Sequence, residues 1–202
     1  GEKTIDEIVT LVQFMWINSA DKWEESLKRG LIIPLYKGKG DKNDANNYRG
    51  VCLLSMGRRI VARIVLVRVS AWAEDMKLLD NNQSGFRSGR STADATQVMI
   101  RLQEDGADLR KRRGDQEEED QDGFVPLARL LDLRKAYPRV NKAALWMILR
   151  RYGLDGEFLR LLQDLHETTE YEVRGREGNS DPWVPERGLT EGCPLSAGLF
   201  NI

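Results

Sequence analysis

Apolar residues at Ile5, Ile8, Val9, Val12, Met15 and Trp16 recur at helical spacing and predict an amphipathic first helix. Thr4 followed by Glu7 has the form of a capping box at its start. A short second helix is expected from Asp21 to Lys28. LIIPLY is a compact run of β-branched and aromatic residues that predicts a strand, and KGKGDKND after it reads as a turn. VCLLS is a second apolar run. MGRRIVARIVLVRVSAWAEDM joins an apolar stripe to a basic face, the pattern of a packed helix. NNQSGFRSGRST reads as a glycine-rich loop, with Ser91 or Thr92 able to cap a helix from Ala93 to about Leu109.

Farther along, FVPLARLLDL is nearly continuous in apolar residues over a strand's length, which predicts a buried strand carrying Asp132 at its end. Asn141 can cap KAALWMILRRYG, in which Leu145, Ile148, Leu149 and Tyr152 form one face and Gly153 supplies the stop. Phe158, Leu161, Leu162 and Leu165 mark another helix, and YEVRGREGNSDPWVPERG predicts a hairpin. Helices and strands mix without regular alternation, so the expected class is α+β.

Composition narrows the picture. The chain has 202 residues, 41% hydrophobic and 31% charged, enough for one domain or two small lobes with a real core. No apolar run approaches the roughly 20 residues that span a bilayer, so no membrane association is expected. The opening GEKTIDEIV lacks a charged-then-apolar leader, and the expectation is an intracellular protein of nucleus or cytoplasm. Two cysteines, Cys52 and Cys193, provide neither a disulfide framework nor a four-ligand zinc site. The net charge of −1 hides an asymmetry: from Leu27 to Arg68 ten bases face two acids, a footprint for polyanions. From Gln103 to Gly123 nine acids face four bases, which reads as a solvated acidic loop.

Four stretches carry the chemistry: IIPLYKGKGD with NYRGVCLLS, then QSGFRSGRST, then LLDLRKAYPRVN, then RGLTEGCPLSAGLFNI. In this order and at these distances they resemble the reverse transcriptase domain of non-LTR (LINE-type) retrotransposons, over nearly the whole chain. A group II intron-type reverse transcriptase is the near alternative, but YKGKGDKND with NYRG is closer to the LINE-type pattern. The resemblance implies an α+β right-hand polymerase. Residues 1–123 would be the fingers, with an N-terminal helical extension and an acidic loop at 110–123. Residues 124–202 would be an incomplete, truncated palm with a ferredoxin-like sheet. It further implies an RNA-directed DNA polymerase that joins dNTPs to a DNA primer on an RNA template by two-metal nucleotidyl transfer, with Mg2+ or Mn2+ as cofactor.

The resemblance also implies roles for particular residues. Asp132 matches the family's first metal-binding aspartate, and the carbonyl of Leu133 touches the same ion. A carboxylate amid apolar residues needs a metal or a partner, and a capping or salt-bridged aspartate near Arg129 or Arg134 is the alternative. Tyr137, five residues on, matches the steric gate against a 2′-hydroxyl; Pro138 stands where the family commonly has Asp. Lys37 and Arg49 resemble the fingers residues that hold the triphosphate, one a mobile point charge and the other a planar fork. Lys39 and Lys42 are the runners-up, or template contacts, and Arg87 and Arg90 are available for phosphates. Phe86 is expected as a core anchor, with a stacking platform as the alternative. Glu191, where the family usually has Gln, and Gly192 would lie beside the nascent base pair and sugar. Cys193 is expected to be a small buried residue and His166 a structural or surface one.

The family's centre also needs a pair of aspartates on a later hairpin, and no Asp-Asp pair occurs in these residues. The expectation is therefore a fragment or degenerate copy, inactive alone. A non-catalytic, reverse-transcriptase-like nucleic-acid-binding module and, third, a helical protein-interaction domain are the competing readings.

Overall fold

The computed structural model describes residues 2–113 and 130–202. In chain order the elements are α1 (Glu2–Ile17), α2 (Glu25–Lys28), β1 (Arg29–Tyr36), β2 (Tyr48–Leu54), α3 (Met56–Asp75), α4 (Thr92–Arg113), α5 (Lys142–Arg151), α6 (Gly156–Glu167), β3 (Glu170–Val173) and α7 (Pro194–Phe200). The class is α+β, as the mixed patterning requires. The described residues form two compact units, one of residues 2–78, 135–200 and 202, the other of residues 79–113, 130–134 and 201.

The first unit is built on a three-stranded sheet in the order β2-β1-β3. β1 and β2 pair antiparallel from Gly30↔Leu54 to Tyr36↔Tyr48, and β3 joins β1 in parallel from Arg29↔Glu170 to Ile32↔Val173. Side chains alternate across a strand. Cys52 and Leu54 therefore turn into the core while Leu53 and Val51 stay exposed. On α3, Val61, Ala62, Val65 and Val69 recur at helical spacing and are fully buried. They join Met15, the leucines of α6, and Leu195 and Leu199 of α7 in one core. Each such valine, leucine or methionine side chain contributes about 1.5–3 kcal/mol on burial, and the Ala62 methyl less.

Local signals account for most boundaries. Ser55 caps α3 by accepting from the Arg58 N–H, and Asn141 caps α5 by accepting from the Ala144 N–H at 3.1 Å. Gly153 ends α5 with φ +88°, a left-handed conformation that glycine adopts without strain. In the second unit Ser91 accepts from the Ala93 N–H at 3.2 Å, while the Ser91 N–H donates to the Asp94 carboxylate at 2.7 Å. That reciprocal pair starts α4.

Several expectations are corrected. Thr4 lies inside α1 because the helix already runs from Glu2; nothing at Lys3 or Thr4 breaks a propagating helix. The segment from Asp21 to Lys28 is not one helix. A 3-10 turn at Ala20–Lys22 ends at extended Trp23, whose indole is buried and donates to the Asn18 carbonyl at 3.1 Å. α5 buries Trp146 beside Leu145 and Leu149, while Ile148 and Tyr152 face outward. α4 continues to Arg113, so residues 110–113 are helix, not acidic loop; residues 114–123 lie outside the described residues. The hairpin is reduced to β3 with isolated bridges Tyr171↔Trp183 and Arg174↔Asn179.

The largest correction concerns the strand expected before Asp132. Residues 124–129 lie outside the described residues, and 130–133 form no strand. Leu130, Leu131 and Leu133 are 95%, 87% and 69% exposed, and Asp132 is exposed with them. A continuous apolar run reads as a buried strand only if neighbours cover both faces. Among the described residues none does. Phe86 is corrected as well: it is 72% exposed, in a turn with φ +57°, and anchors no core.

Candidate active site

β1 and β2 meet at the end closed by their connecting loop in the tyrosine pair Tyr36↔Tyr48, whose ring centroids lie 5.5 Å apart. The two phenols organise the intervening loop. The Tyr36 hydroxyl donates to the Gly40 carbonyl at 2.6 Å and the Tyr48 hydroxyl to the Lys42 carbonyl at 2.8 Å. The Asn47 side-chain amide donates to the Asp41 carbonyl at 2.8 Å. Lys37 donates through its ammonium to the Asn46 carbonyl at 2.6 Å, and the Lys42 ammonium sits 5.8 Å above the Tyr36 ring. Lys39 is exposed and has no partner among the described residues. Arg49 stands opposite Leu35 on β2 and is exposed. The loop thus presents several cations on a braced backbone. Sequence reasoning named those cations but not the two tyrosines that place them; their position, flanking the glycine-lysine turn symmetrically, is the signal.

Tyr137 lies in a 3-10 turn at Tyr137–Arg139. Its carbonyl accepts from the Leu189 N–H at 2.9 Å, and the Gly188 N–H donates to the Val140 carbonyl at 2.9 Å. The ring is partly buried against the core, and that burial raises the phenol's pKa. Gly188 and Gly192 make this junction possible. Both have positive φ, +91° and +78°. A Cβ on Gly188 would stand 2.7 Å from the Pro138 Cα, and one on Gly192 would stand 2.3 Å from the Cys52 carbonyl oxygen. Residues 188–192 are therefore pressed against the Tyr137 turn at one end and β2 at the other. Glu191 is half-buried near Cys52, whose thiol is held protonated first by its own burial and, to a lesser degree, by the Glu191 charge. Lys37, Lys39, Lys42, Arg49, Tyr137, Glu191 and Gly192 all belong to the first unit.

Beneath this surface lies a buried polar group. Arg58 has no exposed area, and its guanidinium donates to the Leu27 carbonyl at 2.8 Å, to the Leu165 carbonyl and to the Thr169 hydroxyl. Those carbonyls close the ends of α2 and α6, where main-chain oxygens lack helical partners. Burial lowers the Arg58 pKa. His166 is buried, and its Nδ1 accepts from the Thr190 N–H at 3.2 Å. Burial first, then the charges of Arg58 and Lys142, pull its pKa down to about 3, so it is a neutral structural group. Cys193 is buried, as expected, and burial raises its thiol pKa; burial pushes Cys52 up to about 11. Neither thiol is an activated nucleophile.

Asp132, Leu133, Arg87 and Arg90 belong to the second unit. Arg87 donates to the Asp80 carbonyl at 2.8 Å, and Arg90 lies in the turn before α4. No group of three or more His, Cys, Asp or Glu side chains among the described residues is placed to hold a metal. The Asp132 carboxylate and the Leu133 carbonyl are hard oxygen donors, the kind that Mg2+ takes in small number alongside substrate phosphates and water. They fit such an ion in type. No helix among the described residues is long and apolar enough to cross a membrane.

Comparison with known proteins matches residues 39–202 to the family model "Reverse transcriptase (RNA-dependent DNA polymerase)". The chain is 29% identical over 175 residues to the "Transposon TX1 uncharacterized 149 kDa protein" of Xenopus laevis, covering 86% of this chain and 12% of that protein. It is 35% identical over 72 residues to the Retrovirus-related Pol polyprotein of a type-2 retrotransposable element of Drosophila melanogaster, covering 36% of this chain and 7% of that protein. It is 22% identical over 175 residues to a "Probable RNA-directed DNA polymerase from transposon BS" of the same fly, covering 87% of this chain and 18% of that protein. The chain thus spans less than a fifth of each relative's length.

Proposed function

The chain belongs to the reverse transcriptase family, as a domain of the non-LTR retrotransposon kind, and from that premise we propose that it supplies the fingers and first palm portion of an RNA-directed DNA polymerase. Residues 1–123 are the fingers with their helical extension, and residues 124–202 begin a ferredoxin-like palm. The polymerase extends a DNA primer with dNTPs on an RNA template.

In this reading Lys37 and Arg49 hold the triphosphate, with Lys39 and Lys42 beside them on the loop. Arg87 and Arg90 contact nucleic-acid phosphates, which fixes register without reading sequence. Tyr137 excludes a 2′-hydroxyl by bulk, and Glu191 and Gly192 line the sugar side, where Gly192 lets backbone approach closely. Asp132 and the Leu133 carbonyl would hold Mg2+ or Mn2+. Such an ion, when bound, offsets charge on the reacting phosphates.

The observation that supports this reading best is the double close approach at Gly188 and Gly192. It ties the Tyr137 turn and the Arg49-bearing strand into one compact unit. Primer extension on an RNA template by the polymerase that carries these residues tests it. Asp132→Asn is expected to lower the rate by roughly 10²–10³, comparable with losing a main electrostatic stabiliser. An unchanged rate would remove Asp132 from the chemistry. Binding of RNA that survives high salt would speak against phosphate contacts by the loop cations.

A further inference from the structure

Phe200 carries no role in the sequence pattern beyond an apolar position, yet it is the ring that meets Tyr137. The two centroids lie 5.3 Å apart with planes at 65°, an edge-on arrangement favoured by the aromatic quadrupole. Phe200 ends α7, and α7 is firmly seated. Leu195 and Leu199 are buried, and Gly198 lies so near α3 that a Cβ would stand 2.6 Å from the Leu66 Cδ1. The Tyr137 backbone is held from the other side by the Leu189 N–H. Its ring has no such tether, because its hydroxyl has no hydrogen-bond partner among the described residues. Packing alone sets the direction in which the ring points.

We propose that Phe200 is a positioning residue for sugar selection: it buttresses the Tyr137 ring edge-on and thereby fixes how closely a 2′-hydroxyl can approach. This rests on the reading of Tyr137 as the gate. Phe200 touches neither nucleotide nor template and acts through Tyr137. A gate excludes by bulk only while its ring stays in place. Without the Phe200 edge the ring gains rotamers that open the space it should fill. Because α7 begins two residues after Gly192, one helix connects the close approach at β2 to the buttress of the gate.

The test is single-nucleotide primer extension by the polymerase carrying these residues, reading the ratio of kcat/KM for a dNTP over its rNTP. Phe200→Ala is expected to lower that preference roughly three- to tenfold, mainly through a smaller rNTP KM. Phe200→Tyr retains the preference. Tyr137→Ala lowers it further, and adding Phe200→Ala to Tyr137→Ala changes it no more, since the buttress then has nothing to hold. Preference lost with Tyr137→Ala but kept with Phe200→Ala overturns the inference and leaves the gate standing. Preference kept with Tyr137→Ala overturns the gate, and the inference with it. Peptide-resolved nitration by tetranitromethane reads the same contact without activity. Phe200→Leu should speed modification of Tyr137 severalfold relative to Tyr152, and an unchanged ratio overturns the buttress.

Discussion

Lys37 and Asn46 close the base of the lysine loop: the Lys37 ammonium donates to the Asn46 carbonyl at 2.6 Å, and the Lys37 N–H donates to the Asn47 carbonyl at 2.8 Å. The same ammonium is proposed to meet the triphosphate, so Lys37 has two tasks that Lys39 does not share. A charge-assisted bond contributes about 1.5–3 kcal/mol where water is excluded, and exposure on this loop reduces that to about 1 kcal/mol or less. Lys37→Met should therefore raise the dNTP KM and also speed amide exchange across residues 37–47. Lys39→Met should weaken nucleotide or RNA binding while leaving that exchange unchanged. Hydrogen exchange followed by mass spectrometry separates the two, and identical exchange in both variants would show that the Asn46 tie does not order the loop.

Gly192→Ala places a Cβ 2.3 Å from the Cys52 carbonyl oxygen and forces alanine to φ +78°. The backbone term alone costs on the order of 1–3 kcal/mol, and the clash adds a comparable amount unless β2 moves. Gly153→Ala is the control: its φ is +88°, but nothing lies within 4 Å of the added Cβ. For a chain of this size about 1 kcal/mol shifts Tm by roughly 2–4 °C. Gly192→Ala should lower Tm by roughly twice as much as Gly153→Ala. Equal shifts would mean that β2 yields freely at Cys52.

What the sequence disclosed and what it hid divide along physical lines. Caps and stops were legible because they are local: Ser91, Asn141 and Gly153 act on backbone a few residues away. So was the stripe of Val61, Val65 and Val69, which needs only a period. Phe86 and the run ending at Leu133 were misread because burial depends on what lies opposite, which no local pattern states. Arg58 is one of the ten bases from Leu27 to Arg68 that the charge pattern reads together as a footprint for polyanions. Its position three residues before Val61 and seven before Val65 put it on the buried stripe, a signal that charge counting obscured. Of the candidate site, the loop cations and Tyr137 were readable as types in a pattern. Phe200 and Asn46 were not: Phe200 meets a ring far from it in the chain, and Asn46 acts through its main-chain carbonyl, which no side-chain pattern marks.

Arg58→Met keeps much of the volume and removes the fork that joins Leu27, Leu165 and Thr169. Each acceptor left dry costs about 1–3 kcal/mol, and relief of a buried charge offsets part of that sum. The net loss should be about 2–4 kcal/mol, read as a lower urea midpoint at unchanged slope. Arg58→Lys should not restore it, because one ammonium cannot serve acceptors spread along a planar guanidinium. Stability matching the parent chain in Arg58→Met would show that the three acceptors find other donors.

His166 is the single histidine of the chain, so its imidazole resonance is unambiguous in a titration. Burial, reinforced by Arg58 and Lys142, holds its folded pKa at about 3 against an ordinary 6.5. As pH falls the unfolded imidazole binds a proton first, so folding stability is complete above about 6.5 and declines progressively toward 3. The decline approaches about 1.4 kcal/mol per pH unit, on the order of 4 kcal/mol across the whole window. His166→Asn keeps an acceptor at the position of Nδ1 for the Thr190 N–H and removes the titration. Its urea-derived stability should therefore fall less steeply between pH 6.5 and 4 than that of the parent chain. Lys142, which donates to the Pro185 carbonyl at 2.9 Å, is the lesser cation acting on the ring. Lys142→Met should raise the imidazole pKa, yet burial, the leading cause, keeps it below 6.5. A parent imidazole that titrates near 6.5 in the folded chain would show that water reaches His166, and with it the interior where Arg58 joins α2, α3 and α6.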